Sequence, residues 1–556
     1  MTLGLDLVTS DSGALTVRFG GVYLDDPVDP HKGAESFARR EQVQSADHVI
    51  VLGGGLGYRV QRLREIGARS VIVFEPCEEL FDLTRQRFQG RFEGAASFSD
   101  FAPLMAHLTS YTRPRERFVL LVSPAYRRVF PDAHERLKRV LNEAQGLTVV
   151  RENTVIERSR IIAENTLGNL AWLAQAPLAT RLDRPLAGTP AFIVSAGPSL
   201  DRNGHLLARA AKHGAILAVN TSSAAVVAEN APIDVLVVIE SLDSSRAMLE
   251  AAPHARLVAL DLSAARENFA VPARKRAAFL TKSPAYDSLS RALGASPLVY
   301  GGSVATAAFS LAHRWGADPI VLVGQDLAYT GGRVYAKHTP YGAMRAIVQG
   351  NTIRLEGCPE RDEAYTKRGL KKQPRSRPLL STPAWGGAGT AAATHDLVLF
   401  QHWFEASAYH LRGQRRLINA TEGGASIAGY EELSLGALLD ELDERSDDLH
   451  EQVAAAATLS SEHLGAIRGE IVAGARELSR AAGRCLALAP GSRKLEQAQQ
   501  QVKRAARKAP VAEAHSSSEL MLIMKNRELS LRARTRKTYA AIRDSAVRVI
   551  ELASQP

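Results

Sequence analysis

Cysteine is nearly absent from this chain: three residues, Cys77, Cys358 and Cys485, in 556. They are far apart, odd in number and without metal-ligand spacing. That excludes a disulfide framework and a cysteine zinc site, and it fits a reducing cytosol. Long apolar runs are missing too. No stretch approaches the roughly 20 apolar residues of a membrane span. The opening MTLGLDLVTSDSG has no basic region ahead of a long apolar run, so it does not read as a signal peptide, and the expected location is the cytoplasm. Aromatic residues are sparse at 6%. Acidic residues do not dominate either: Lys and Arg number 69 against 59 Asp and Glu, a net charge of +10. The excess favours an anionic ligand, substrate or surface without choosing among them.

What is present is apolar content, 45% of residues, enough for large buried cores. At about 100–200 residues per domain, the chain should hold several. The most informative stretch is 301–339. Gly301-Gly302-Ser303 leads into a helical pattern in which Val304, Ala308, Leu311, Ala312 and Trp315 share one face. Gly316 ends that helix. The run 319–324, PIVLVG, then reads as a strand buried on both faces. Polar groups follow abruptly: Gln325, Asp326, Tyr329, Tyr335, Lys337 and His338. Ligands of open α/β sheets bind outside the carboxyl ends of strands, so this is a candidate active site.

Other strands end in a similar way. Residues 190–194 run into the tight loop Ser195-Ala196-Gly197-Pro198-Ser199-Leu200, where a helix start would offer free N–H groups to a phosphate. Capping of that turn by Ser199 or Asp201 is the plainer explanation. Residues 215–219 end at Asn220-Thr221-Ser222, and 234–239 at Glu240-Ser241-Leu242-Asp243. Residues 416–418 end at Asn419-Ala420-Thr421-Glu422-Gly423-Gly424. Together these strand ends suggest one shared rim of ligand contacts.

The flanks are of different character. Residues 1–45 contain an alternating strand at 15–19 turned by Gly20-Gly21. Residues 47–57, DHVIVLGGGLG, pass from strand to glycine loop, and a second strand, 70–74, closes on Glu75. This layout, with Gly53, Gly54, Gly55, Gly57 and Glu75, resembles the first motif of S-adenosylmethionine-dependent methyltransferases. A glycine loop also serves simply to turn from strand to helix, and a structural role is expected here. Residues 131–180 read as helical, with Asn153, Asn165 and Asn169 as contacts between helices or caps. Residues 340–394 lack periodicity and read as a loop, basic at Lys367, Arg368, Lys371, Lys372, Arg375 and Arg377. From 436 onward the pattern is helical, divided near Pro490-Gly491 and 514–518. Its basic end carries no aromatic interleaving, so nucleic acid is not expected as a partner. The expected architecture is therefore α/β, with a Rossmann-like N-terminal domain (1–130) and a helical linker (131–185). A central catalytic α/β domain (186–435) and an all-helical C-terminal domain (436–556) follow.

Four blocks, GVYLDDPVDPHKGAE, FIVSAGPSLDRN, GGSVATAAFSLAHRWGADPIVLVGQDLAYTGGRVYA and INATEGGASIAG, resemble the motility-associated factor (Maf) glycosyltransferases of flagellated bacteria. That family attaches nonulosonic acids (pseudaminic or legionaminic acid) to Ser and Thr of flagellin. The resemblance implies a CMP-activated sugar as co-substrate, flagellin as partner, no other cofactor, and a central domain of GT-A/sialyltransferase-like type. It implies Gly197, Pro198, Ser199, Leu200, Asn220, Gly302 and Ser303 around CMP, with Tyr329 and Tyr335 at the leaving phosphate. Glu240, Gln325, Thr421, Glu422 and Gly423 complete the expected donor contacts, although Glu240-Ser241 stands where many relatives carry Asp-Pro. His338, His395 and Asp326 are the candidate bases. No Asp-X-Asp follows a central strand, so no metal is expected. The same superfamily includes an archaeal hydroxymethylpterin diphosphokinase, which keeps a Mg²⁺- and ATP-dependent diphosphokinase as an alternative. A non-catalytic flagellin-binding factor is a third reading.

Overall fold

The computed structural model describes residues 4–40, 48–110, 118–242, 249–282, 287–357, 376–445, 449–488, 493–509, 511–512, 515–516 and 531–555. Asp243, Cys358, the basic residues 367–375 and the helix breaks at 490–491 and 517–518 lie outside them. The chain forms two compact units, Met1–Glu152 and Asn153–Pro556.

The first unit opens with an antiparallel ribbon, β1 (Leu5–Thr9), β2 (Leu15–Phe19) and β3 (Val22–Tyr23). Gly20 and Gly21 make its second turn, with Phe19 paired to Val22. A parallel sheet follows from β4 (His48–Leu52), β5 (Ser70–Phe74), β6 (Ala96–Phe98) and β7 (Phe118–Val122), in the order β6-β5-β4-β7. That is the order of a Rossmann-like half. Every residue of β4 is buried, as expected of a parallel strand covered on both faces.

The second unit is built on an all-parallel sheet of eight strands. They are β8 (Ala191–Val194), β9 (Ala215–Val219), β10 (Ile233–Val238), β11 (Ala255–Asp261), β12 (Arg276–Phe279), β13 (Ile320–Val323), β19 (Leu417–Asn419) and β20 (Glu431–Glu432). Their spatial order is β12-β11-β10-β9-β8-β13-β19-β20. The chain winds outward from β8 to one edge, then returns and winds from β13 to the other. The switch in direction falls between β8 and β13. Alternate residues divide the cores. Phe192, Val194, Ile216, Val238 and Leu260 pack with Leu170, Leu173, Leu464, Ile467 and Leu478 of the helices on one face. Ile193, Leu217, Val237 and Leu257 pack with Phe309, Leu311 and Trp315 on the other. The C-terminal helices Ser461–Leu486, Arg493–Lys508 and Leu531–Ala553 thus share a core with the sheet.

Between β13 and β19 the structure departs from the expected loop. Arg345–Gln349 (β14), Thr352–Glu356 (β15) and Ser376–Pro378 (β16) form one antiparallel sheet. Leu380–Pro383 (β17) and Thr390–Ala393 (β18) form a hairpin. The short strands are half-exposed and so carry little hydrophobic periodicity. The pairing of Gln349 with Thr352 leaves Gly350-Asn351 as a two-residue turn. Such a dipeptide between alternating residues is a hairpin signal that was legible in the sequence.

Asn165 and Asn169, expected as contacts between helices or as caps, bond elsewhere. They lie on the long helix Pro131–Asn169 and reach strand ends instead. The Asn165 amide donates to the Ser241 and Ser263 carbonyls at 2.9 and 3.0 Å. That of Asn169 donates to Leu262 and Ala264 at 3.0 and 2.8 Å. They satisfy carbonyls of the turns that follow β10 and β11.

Candidate functional site at the switch point

A parallel sheet places every carboxyl end on one edge. The strand order therefore lines up Glu240 after β10, Asn220 after β9, Ser195 after β8, Gln325 after β13 and Thr421 after β19 as neighbours. The helix Val304–Arg314 packs on β8, β9, β10 and β13 and leads back to the amino end of β13. Its start must therefore lie at the same rim, which puts Gly302 and Ser303 there. Ser303 caps it, its hydroxyl accepting from the Thr306 N–H at 3.4 Å. The N–H groups of Val304 and Ala305 have no intrahelical partner, being in the first turn, and carry the positive end of the helix dipole.

The two walls of the switch point are tied together. Gly197 N–H donates to the Gly324 carbonyl at 2.8 Å. The Ser195 hydroxyl meets Gln325 Oε1 at 2.5 Å. Asp326, 3% exposed, accepts from the Ser199 hydroxyl at 2.5 Å, the Ser199 N–H at 3.2 Å and the Thr330 hydroxyl at 2.6 Å. A Cβ on Gly197 would stand 2.1 Å from Asp326 Oδ1, so only glycine allows this approach. Burial pushes the Asp326 carboxyl above its ordinary range, and the Ser199 and Thr330 hydroxyls pull it back. Leu327 at φ 51° and Glu422 at φ 58° hold left-handed backbone just past β13 and β19. Such positions cluster where a site is built.

This geometry corrects several sequence expectations. The turn 197–200 offers no free N–H row: Ser199 donates to Asp326, and Leu200 donates to the Gly197 carbonyl at 3.1 Å. Ser199 and Leu200 are buried, Leu200 in the apolar core. Asp326 is saturated by donors instead of facing open space. Glu240 is engaged by Arg158 at 3.2 Å and by the Leu242 N–H at 3.0 Å. The Glu422 carboxylate accepts from Asn203 and the Leu435 N–H, both at 3.0 Å, and Thr421 Oγ1 accepts from the Gln325 N–H at 3.3 Å. Pro198, Asn220, Gln325 and Thr421 are buried, whereas Gly197, Gly302, Ser303, Glu240, Glu422 and Gly423 keep exposed surface. Buried polar side chains at neighbouring strand ends bond to one another, which sequence spacing alone does not reveal.

Tyr329 and Tyr335 differ. Thr394 donates its single hydroxyl proton to Asp396 at 2.6 Å, so the 3.0 Å contact between Tyr329 and Thr394 must be donated by the tyrosine. Tyr329 is 9% exposed, and burial pushes its phenol up to about 12. Tyr335 is half-buried with its ring 5.5 Å from that of Tyr341, and its hydroxyl has no hydrogen-bond partner among the described residues. The Tyr329–Thr394 bond also brings His395, the first residue of the helix His395–Leu411, to this corner. His338 is exposed. Among the described residues, no three His, Cys, Asp or Glu side chains cluster as a metal site would.

The glycine loop of the first unit is filled from within. Gly54, Gly55 and Leu56 N–H groups donate to Glu75 at 3.1 Å, the Tyr126 hydroxyl at 3.1 Å and Asp25 at 2.8 Å. Arg59 pairs with Asp25 at 2.8 Å, and a Cβ on Gly53 would fall 2.0 Å from the Tyr126 ring. The amides that would cradle a phosphate already have partners.

Residues 164–332 match the family model described as 6-hydroxymethylpterin diphosphokinase MptE-like. Over 99% of this chain and 91% of the other, the fold is similar to the solved structure of the MAf glycosyltransferase from Magnetospirillum magneticum AMB-1, with 15% identity and a TM-score of 0.46. No curated protein matches the sequence. The segment 164–332, which carries β8 to β13 and with them both walls of the switch point, is similar to the MptE-like family.

Proposed function

We propose that the chain is a glycosyltransferase that moves a nonulosonic acid of the pseudaminic or legionaminic type from a CMP-activated donor to Ser and Thr hydroxyls of flagellin in the cytoplasm. One observation carries the reading. Three of the family-like blocks, separated by about a hundred residues each in sequence, end on neighbouring strands or helix starts at a single topological switch point. The reaction breaks the bond between the anomeric carbon and a phosphate oxygen. Negative charge develops on the phosphate, and N–H and O–H donors aimed at it lower the barrier. The first-turn amides of Val304 and Ala305 beside Gly302 and Ser303, together with the Tyr335 hydroxyl, are suited to that role. His395 is the preferred base for the acceptor hydroxyl, because it stands beside the Tyr329 corner while His338 faces solvent. Asp326 holds the two walls together.

Thermal stabilisation by CMP, and a mass increase of co-expressed flagellin equal to one nonulosonate per site, are the expected results. Failure of CMP to bind while flagellin stays unmodified would refute the reading. The match of residues 164–332 favours a second one, a pterin diphosphokinase. It requires stabilisation by ATP with Mg²⁺ and none by CMP.

A further inference from the structure

One hydrogen-bond chain in the second unit joins three separate segments. Arg377 Nη1, on β16, donates to Asp396 Oδ2 at 2.7 Å. Thr394 Oγ1, just past β18, donates to Asp396 Oδ1 at 2.6 Å. Tyr329 then donates to Thr394 Oγ1 at 3.0 Å, and its own N–H donates to the Ala392 carbonyl at 2.8 Å. Every proton in the chain points away from Tyr329 toward Asp396. Arg377 forms an ion pair with this carboxylate, which accepts from both of its partners. The Tyr329 hydroxyl therefore has a lone pair to offer but no proton.

We propose that Arg377, Asp396 and Thr394 are positioning residues of the switch-point site. They fix the Tyr329 phenol with its proton inward and so dock the β14–β18 insert against the loop that follows β13. Of the two tyrosines, Tyr335 alone then has a proton for a phosphate. This rests on the transfer reading for the identity of the leaving group, and it divides a pair that the family resemblance treats alike. Tyr329 acts through its position: it anchors the turn Thr330-Gly331-Gly332 that carries the chain on to Tyr335. Thr330 is itself bonded to Asp326, so the anchor continues to the Gly197–Ser199 turn.

The experiment compares Tyr329→Phe, Tyr335→Phe, Thr394→Val and Thr394→Ser in the full chain. It measures CMP affinity, the ³¹P shift of bound CMP, and transfer rates. Tyr335→Phe is expected to move the ³¹P shift and to lower kcat about 10²-fold, as for loss of one oxyanion-type donor. Tyr329→Phe and Thr394→Val are expected to leave the ³¹P shift in place and to change KM more than kcat. Thr394→Ser, which keeps the hydroxyl, restores wild-type behaviour. A ³¹P change in Tyr329→Phe equal to that in Tyr335→Phe would overturn the proposal, as would failure of Thr394→Ser to differ from Thr394→Val. If no variant and not even the wild type binds CMP, the transfer reading fails. The [ζ-¹³C]tyrosine signal of Tyr329 then still decides the proton's direction. It should shift in Thr394→Val and in Asp396→Asn, and an unmoved signal would show that the chain does not exist.

Discussion

Replacing Asp326 tests whether it is a base or a clamp. The carboxylate is buried and takes two hydroxyls and one N–H from Ser199 and Thr330. Asp326→Ala leaves those donors without an acceptor. A buried unsatisfied donor costs about 1–3 kcal/mol, and the hydroxyls can turn to recover part of it. With three neutral donors stranded and the hydroxyls recovering part, the expected loss is about 3–5 kcal/mol. Asp326→Asn keeps one carbonyl oxygen for Ser199, and Thr330 can rotate to accept from the new amide, so about 1–2 kcal/mol is expected. Urea unfolding of the full chain measures both. The functional outcome separates the roles. As a clamp, Asn at this position should keep CMP affinity and retain transfer within about tenfold. As a general base, its loss should slow transfer by roughly 10²–10⁴-fold at unchanged stability. An Asp326→Ala variant that is as stable as wild type would refute the reasoning, and so would an inactive but fully stable Asp326→Asn.

Gly197→Ala should destabilise the second unit by about 1–3 kcal/mol, because the new Cβ meets Gly324 O at 2.5 Å as well as Asp326; thermal unfolding would show it, and a neutral outcome would mean that the walls are not in contact. Glu75, buried beneath the glycine loop, has its carboxyl raised from 4.5 to about 7 by desolvation, with Tyr126 and the Gly54 and Cys77 N–H groups opposing. The native state thus keeps a proton that the unfolded chain loses above about pH 4.5. The first unit should lose stability as pH rises across that window, by about 3 kcal/mol at about 1.4 kcal/mol per pH unit. Glu75→Gln should flatten this slope in pH-dependent unfolding curves. Calorimetry with S-adenosylmethionine should show no binding at millimolar ligand, since the loop amides are already bonded; a micromolar dissociation constant would revive a cofactor role. An open groove of about 800 Å³ between two C-terminal helices is lined by Arg484, Arg504, Arg507 and Lys508. Reversing Arg504 and Arg507 should weaken binding of the protein acceptor in a pull-down while CMP affinity stays unchanged, and loss of CMP binding would count against separate donor and acceptor surfaces.

The order of elements was largely legible from the amino-acid sequence. The parallel strands β4, β8, β9, β10 and β13 are short, continuous apolar runs, because a strand covered on both faces has no polar side to show. The helix 304–314 announced itself by its apolar face, and the helical C-terminal stretch by its composition. That several strands end in polar residues could also be read directly, and the parallel sheet makes them one rim. The inner strand β11, the edge strands β12 and β20 and the strands of the insert were not distinguished; the edge strands and the insert are short, half-exposed or alanine-rich and carry weak periodicity.

What only the tertiary structure decided is which polar groups remain available. Ser199, Asp326, Glu240 and Glu422 have the chemistry of ligand contacts, and each is bonded to a residue far away in sequence. Tyr329 and Tyr335 are near-equivalent in the sequence, yet one donates to Thr394, while the hydroxyl of the other has no hydrogen-bond partner among the described residues. The glycine loop at 53–57 has the spacing of a phosphate cradle, but Asp25, Glu75 and Tyr126 fill it. Periodicity records whether a side chain faces a core, because burial depends on local position along an element. A hydrogen-bond partner depends on which elements the fold brings side by side, and that is a property of the whole topology.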